Sequence, residues 1–176
     1  MTNYTESGLQ VSLPDGNNFR FQDLTVYTKL KGKHLKEVDY CWWDTSKNKF
    51  WLLEVKDYSH LTIEERLPDN LLEKFTNKVT DALMMLAAAW SGTNAGKQFL
   101  AELPSIFHNF PVLPYRIKIV CVLKSIEPHQ KVELSALKTK LNKRLEGRIA
   151  LFDLKDVTFT DHETAIKMGL PMISIP

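Results

Sequence analysis

Lys36-Glu37-Val38-Asp39-Tyr40-Cys41-Trp42-Trp43-Asp44, running through Thr45-Ser46-Lys47-Asn48 into Lys49-Phe50-Trp51-Leu52-Leu53-Glu54-Val55-Lys56-Asp57, is the stretch that decides the fold. Two aromatic and β-branched runs flank a short polar turn, the composition and loop length of a β-hairpin. A turn centred between Ser46 and Lys47 sets Trp43 against Phe50, Cys41 against Leu52, Asp39 against Glu54 and Glu37 against Lys56. Side chains alternate along a strand, so these residues share one face. Val38, Tyr40 and Trp42, opposite Val55, Leu53 and Trp51, share the other. With apolar residues on both faces, the hairpin is expected inside a covered sheet.

Two carboxylates across a ladder repel, and burying them uncompensated costs several kcal/mol per ion. A cation is therefore expected between Asp39 and Glu54. Lys56, two residues beyond Glu54 on the same face, is one candidate; a divalent metal, which takes carboxylate and carbonyl oxygens plus water, is the other. Paired carboxylates, a neighbouring lysine and a hydrated ion together suit phosphodiester hydrolysis.

Asp39, fourteen residues, then Glu54-Val55-Lys56 resembles the D-x(n)-E-x-K signature of the PD-(D/E)xK, or restriction-endonuclease-like, nuclease superfamily. The match covers residues 36 to 58 and the order of elements after them. Val38 stands where the family usually has proline. The resemblance implies an α/β fold, a central mixed β-sheet flanked by helices, with Asp39 opening the second core strand and Glu54-Val55-Lys56 near the end of the third. It implies Asp39, Glu54 and Lys56 as catalytic residues, and Asp39, Glu54 and the Val55 carbonyl as ligands of Mg²⁺ or Mn²⁺. It further implies a metal-dependent endonuclease acting on nucleic acid, with DNA the expected substrate. No N-terminal helix bearing a further acidic residue is evident; Glu6, Asp23 and Glu37 are the candidates.

Elsewhere, residues 8 to 22 alternate around Pro14-Asp15-Gly16-Asn17 and read as a first hairpin, and residues 24 to 36 as strand or irregular chain. The latter carry Lys29, Lys31, Lys33 and Lys36, either a solvated edge or a strip of phosphate contacts. Beyond a polar connector after Tyr58, Pro68-Asp69-Asn70 opens a long helix, with Asn70 and Glu73 patterned as a capping box and Ser91-Gly92 as the stop. Leu72, Phe75, Val79, Leu83, Leu86 and Trp90 form its buried stripe. Lys74 and Lys78 on its polar side either meet a nucleic-acid backbone or pair with Glu73 and Asp81. A shorter helix is expected within 93 to 110, before Pro111 and Pro114. Tyr115 to Leu123 reads as a strand beside the central hairpin, Val132 to about Gly147 as a helix with a basic outer face, and 157 to 160 as a last strand before a short helix and Ile173-Ser174-Ile175.

At 176 residues and 44% hydrophobic content, the chain is expected to form one domain, with residues 1 to 30 as a flank and 34 to 160 as core. A net charge of +2 leaves any nucleic-acid affinity to local clustering. Cys41 and Cys121 lie in apolar runs, predicting free buried thiols and a cytoplasmic location. No apolar run is long enough to span a membrane. No glycine-rich phosphate loop or zinc spacing appears. Two further readings stand beside the nuclease: a non-catalytic nucleic-acid- or partner-binding subunit in which Lys56 neutralises Glu54 and Glu37, and an interaction domain using exposed Trp and Phe. A homodimer or partner subunit is compatible with the first two. Substrate specificity and pathway are not written in the sequence.

Overall fold

The computed structural model describes residues 1–58, 68, 70–109, 116–124 and 128–174. The connector after Tyr58, Asp69, the segment holding Pro111, Pro114 and Tyr115, and Ile175 lie outside them.

The protein is an α/β structure built on a five-stranded mixed sheet. Its strands are β3 (Asn18–Phe19), β4 (Tyr40–Asp44), β5 (Lys49–Asp57), β6 (Arg116–Lys124) and β7 (Val157–Asp161), in spatial order β3-β4-β5-β6-β7. β3, β4 and β5 pair antiparallel, whereas β5, β6 and β7 run parallel. Parallel neighbours need crossovers, and helices supply them. Between β5 and β6 lie α2 (Leu71–Ser91) and α3 (Asn94–Glu102); between β6 and β7 lies α4 (Pro128–Ala150). α1 (Thr25–Lys31) sits between β3 and β4.

The central hairpin has the register its pattern predicts, with Trp43 paired to Phe50, Trp42 to Trp51, Cys41 to Leu52 and Tyr40 to Leu53. Alternation then sorts the core into two layers. Cys41, Trp43, Phe50, Leu52, Ile119, Cys121 and Phe159 pack under the helices with Phe75, Val79, Leu83 and Leu145. Tyr40, Trp42, Trp51, Leu53, Val55, Val120 and Val122 pack on the opposite face with Leu9, Val11 and Leu13. A second, three-stranded sheet covers that face: β1 (Thr2–Glu6), β2 (Leu9–Leu13) and β8 (Met172–Ser174), in the order β1-β2-β8. α5 (His162–Lys167) follows β7 and adds Ala165 to this layer. Both faces of β5 are thereby covered, which is why it reads as a continuous apolar run broken only at Glu54.

Several local expectations are corrected. The first hairpin turns at Ser7-Gly8, pairing Thr2 with Leu13 and Glu6 with Leu9. The Pro14-Asp15-Gly16 signal instead carries the chain from one sheet to the other, into β3. Residues 24 to 36 include a helix rather than a strand: Val26 and Tyr27 are buried against the core, and a Glu102 carboxylate from α3 accepts the Val26 N–H at 3.1 Å. A carboxylate at a helix N-terminus is favourable, but its sequence separation hides it. α2 starts at Leu71 as expected, yet Asn70 makes no side-chain cap. Gly92, in the left-handed region at φ 74, ends it. Leu72 and Trp90 are only partly buried, while Leu71, Ala82, Met85 and Ala89 join the stripe. α4 is longer at both ends than its leucine spacing suggests. Val38 packs in the helix-side layer rather than with Tyr40, because the ladder begins only at Tyr40. Trp42, Trp43 and Trp51 are buried, and no described Trp or Phe is exposed, which removes the basis for an aromatic docking surface. Both cysteines are free and buried. Among the described residues no helix is long and apolar enough to cross a membrane.

Candidate functional site

The polar centre lies where β4 begins and β5 ends, at the carboxyl end of the parallel strands, the region where open α/β sheets place ligands. Asp39 stands one residue before the ladder. Its Oδ2 accepts the Val55 N–H at 2.7 Å, so the carboxylate takes the place of a strand carbonyl and is fixed by backbone. Glu54, on the helix-facing side of β5, is 1% exposed.

Lys56 extends over the same face. Its Nζ lies 2.7 Å from Glu54 Oε1, 3.0 Å from the Val55 carbonyl oxygen and 3.8 Å from Asp39 Oδ2. Three oxygens from separate groups thus converge on one cation. Lys78, from the second turn of α2, reaches the same pair from above, 2.6 Å from Glu54 Oε1 and 3.6 Å from Asp39 Oδ1. Glu54 Oε2 meets no donor among the described residues.

Burial is the largest influence on Glu54 and, with the like charge of Asp39, pushes its carboxyl up to about 7 against the pull of Lys78 and Lys56. For Lys56 burial acts to lower the pKa, but Glu54 and Asp39 outweigh it and hold the ammonium above the ordinary lysine range.

The donors at this centre are all hard oxygens: two carboxylates and a carbonyl. Mg²⁺ and Mn²⁺ suit such a set, because Mg²⁺ is commonly held by one or two carboxylates and completes its shell with water and substrate phosphate. Asp39, Glu54, whose Oε2 has no donor among the described residues, and the Val55 carbonyl are the groups that would hold such an ion. No cluster of three His, Cys, Asp or Glu side chains capable of holding a metal occurs among the described residues.

A small cleft of about 70 Å³ lies beside the centre, between the end of β5 and the first turns of α2. It is lined by Glu54, by the apolar Leu71 and Phe75 with Tyr58, and by the cationic Lys56, Lys74 and Lys78. Of the lysines singled out in the sequence, Lys78 therefore belongs to the carboxylate cluster itself and Lys74 to the cleft. Lys29 lies in α1, where Lys31 is the last residue; Lys33 and Lys36 follow on the segment leading to Asp39, and Lys29, Lys33 and Lys36 are exposed. That segment is tied down at two points. Asp81 of α2 accepts the Lys36 N–H at 2.9 Å, and Tyr27 of α1 donates to Glu37.

Sequence reasoning missed Ser7. Its hydroxyl lies 3.3 Å from the Val55 carbonyl, which brings the β1–β2 turn onto the site. Gly8 beside it has φ 66, and a Cβ there would come within 2.3 Å of Lys124 Nζ and 3.1 Å of Asp57 Oδ2. The only signal for this placement was the small-polar Ser7-Gly8 pair, overshadowed by the stronger Asp15-Gly16. Of the acidic candidates upstream, Glu6 is near enough to raise the Lys56 pKa, Glu37 is engaged by Tyr27, and Asp23 lies 3.9 Å from Arg20.

Family models, curated proteins and solved structures were all compared with the chain, and none matches it.

Proposed function

We propose that the protein is a metal-dependent nuclease of the restriction-endonuclease-like kind, hydrolysing phosphodiester bonds of nucleic acid, with DNA the expected substrate. One observation carries the reading: oxygens of Asp39, Glu54 and Val55 converge within 3.8 Å of a single cationic position at the end of a covered strand. The order of strands carrying Asp39 and Glu54-Val55-Lys56, a long helix, then a strand parallel to β5 supports it.

Bound Mg²⁺ would supply electrophilic polarisation of the phosphate and acidification of water. The chain's own groups do the rest. The Val55 N–H holds the Asp39 carboxylate in place, and burial within the sheet fixes Glu54. Lys56, released from Glu54 and the Val55 carbonyl, points its charge at the non-bridging oxygens and stabilises the negative charge that grows in an in-line attack. The covering layers exclude bulk water and strengthen each of these interactions.

A second reading is favoured by the charge count at the centre. Among the described residues, Asp39 and an ionised Glu54 carry two negative charges and Lys56 and Lys78 two positive ones, a cluster balanced without metal. On that reading the protein is a nucleic-acid- or partner-binding subunit, and the cluster only holds β4, β5 and α2 together.

Incubating wild type and Lys56→Met with plasmid, single-stranded DNA and RNA, in Mg²⁺ or in EDTA, separates the two. The nuclease reading expects cleavage of at least one substrate by the wild type in Mg²⁺ alone and a loss of about a hundredfold or more in Lys56→Met. Absence of cleavage of every substrate in Mg²⁺ and Mn²⁺ contradicts it and favours the balanced cluster.

A further inference from the structure

We propose that the cleft edged by Lys56, Lys74 and Lys78 is a phosphodiester-binding subsite, and that Lys78 makes its occupancy and that of the metal position depend on each other. The proposal rests on the metal-dependent reading above and goes beyond it in assigning a coupling role to an α2 lysine outside the E-x-K strand.

The geometry begins with Glu54 Oε1, which both ammoniums approach, Lys78 at 2.6 Å and Lys56 at 2.7 Å. They bracket Asp39 as well, one at each carboxylate oxygen. With Glu54 ionised, two anions and two cations among the described residues sit within ion-pair reach and balance one another. A divalent ion entering this cluster leaves a surplus of two positive charges around a carboxylate that is 1% exposed. In so poorly solvated a place, uncompensated charge is costly.

Relief requires both that the ammoniums leave Oε1 and that an anion arrive. The adjoining cleft can serve both. Lys56 and Lys78 line the cleft beside Glu54, and Lys74, one turn earlier on α2, adds a third cation to the same lining. Leu71 and Phe75 give that cleft apolar walls, which lower the local dielectric and strengthen attraction for an anion. The space, about 70 Å³, is more than one water fills and is on the scale of a single phosphate group. An anion in the cleft draws the lysines off the carboxylates and lets the ion bind; the ion in turn frees the lysines for the anion. Such coupling is reciprocal by thermodynamic necessity. For the enzyme it would mean that metal is held firmly only when a backbone phosphate is present.

The test is calorimetric titration of Mg²⁺ into the wild type and into Lys78→Met, each with and without dimethyl phosphate, the smallest phosphodiester and one that does not titrate near neutrality. In the wild type the diester should tighten Mg²⁺ binding by about tenfold or more, and Mg²⁺ should tighten diester binding by the same factor. In Lys78→Met the ion alone should bind about tenfold more tightly than in wild type, and the diester should improve it by less than about threefold. Lys78→Gln, which keeps a polar side chain in the same place, should behave like the Met variant and serves if that variant does not fold. Mg²⁺ binding that ignores the diester in the wild type, or enhancement undiminished in both Lys78 variants, overturns the coupling while leaving the metal site intact. Absence of Mg²⁺ binding in wild type and variants alike, with the diester present, refutes the metal reading and this proposal with it.

Discussion

Glu54→Gln probes the electrostatics of the centre without any assumption about substrate. Two effects of the change have to be separated. Replacing the carboxyl by an amide changes its packing and hydrogen bonding, a term of roughly 1–3 kcal/mol that does not vary with pH. It also removes a carboxyl whose folded pKa, about 7, lies above its unfolded value of 4.5, chiefly through burial. The unfolded chain then sheds the Glu54 proton first, so between those values the wild type loses stability as pH rises; its contribution is complete below 4.5 and lost by the time pH passes 7. Integrating the linkage between about pH 5 and about pH 7.5 gives roughly 2 kcal/mol. The amide of the Glu54→Gln variant does not titrate and carries no such term. Urea denaturation of both proteins in EDTA at the two pH values should therefore show the difference, variant minus wild type, moving in the variant's favour by about 2 kcal/mol as pH rises, whatever its absolute size. A difference that stays constant within about 0.5 kcal/mol would refute the claim that Glu54 is held in a desolvated, anion-opposed position.

The same raised pKa governs metal affinity. Because the ion competes with a proton on Glu54, Mn²⁺ binding followed by electron paramagnetic resonance should weaken about tenfold between about pH 8 and about pH 6; equal affinity at both would exclude Glu54 as a ligand. Phe75 joins α2 to β7 by an edge-on contact with Phe159, ring centroids 4.9 Å apart, and is 1% exposed. Phe75→Ala should cost about 3–5 kcal/mol in urea melts, and a loss under about 1 kcal/mol would contradict the packing described. Gly92 ends α2 at φ 74 with open space around its Cα, so Gly92→Ala should destabilise by backbone strain alone, about 1 kcal/mol by thermal melting.

How far the sequence disclosed this structure differs from element to element. The central hairpin was legible over the paired residues 40–44 and 49–53, since its alternation is dense and a slip of one position would exchange the side chains packed under the helices for those packed under the second sheet. β6 and the stripe of α2 were legible for the same reason. The first hairpin was not, because Asp15-Gly16 is an equally good turn whether the strands it joins pair or part into separate sheets. β8 pairs with β2 from the far end of the chain, a choice no local pattern records. α1 was obscured by Thr25-Val26-Tyr27-Thr28, a β-favouring composition overridden by burial of Val26 and Tyr27 and by the Glu102 carboxylate at its start. At the site, the nearness of Asp39, Glu54 and Lys56 was legible because Asp39 and Glu54 follow directly on the hairpin's last pair, Tyr40 with Leu53. Lys78 was only half legible. Its position on α2 was plain, but that the helix turns it inward onto Glu54 rather than along its own surface toward Asp81 depends on how α2 crosses the sheet. Ser7 depends on the packing of the second sheet and left almost no trace.

The central question for this protein is whether Asp39, Glu54 and the Val55 carbonyl hold a divalent ion. Electron paramagnetic resonance of Mn²⁺ titrated into the wild type and Asp39→Asn, with dimethyl phosphate present throughout and folding verified by circular dichroism, measures this. Saturable loss of the free Mn²⁺ signal in the wild type, abolished in a folded Asp39→Asn, is the result predicted. Free Mn²⁺ undiminished by the wild type at millimolar concentrations would contradict it and leave the four charges as a structural ion-pair cluster.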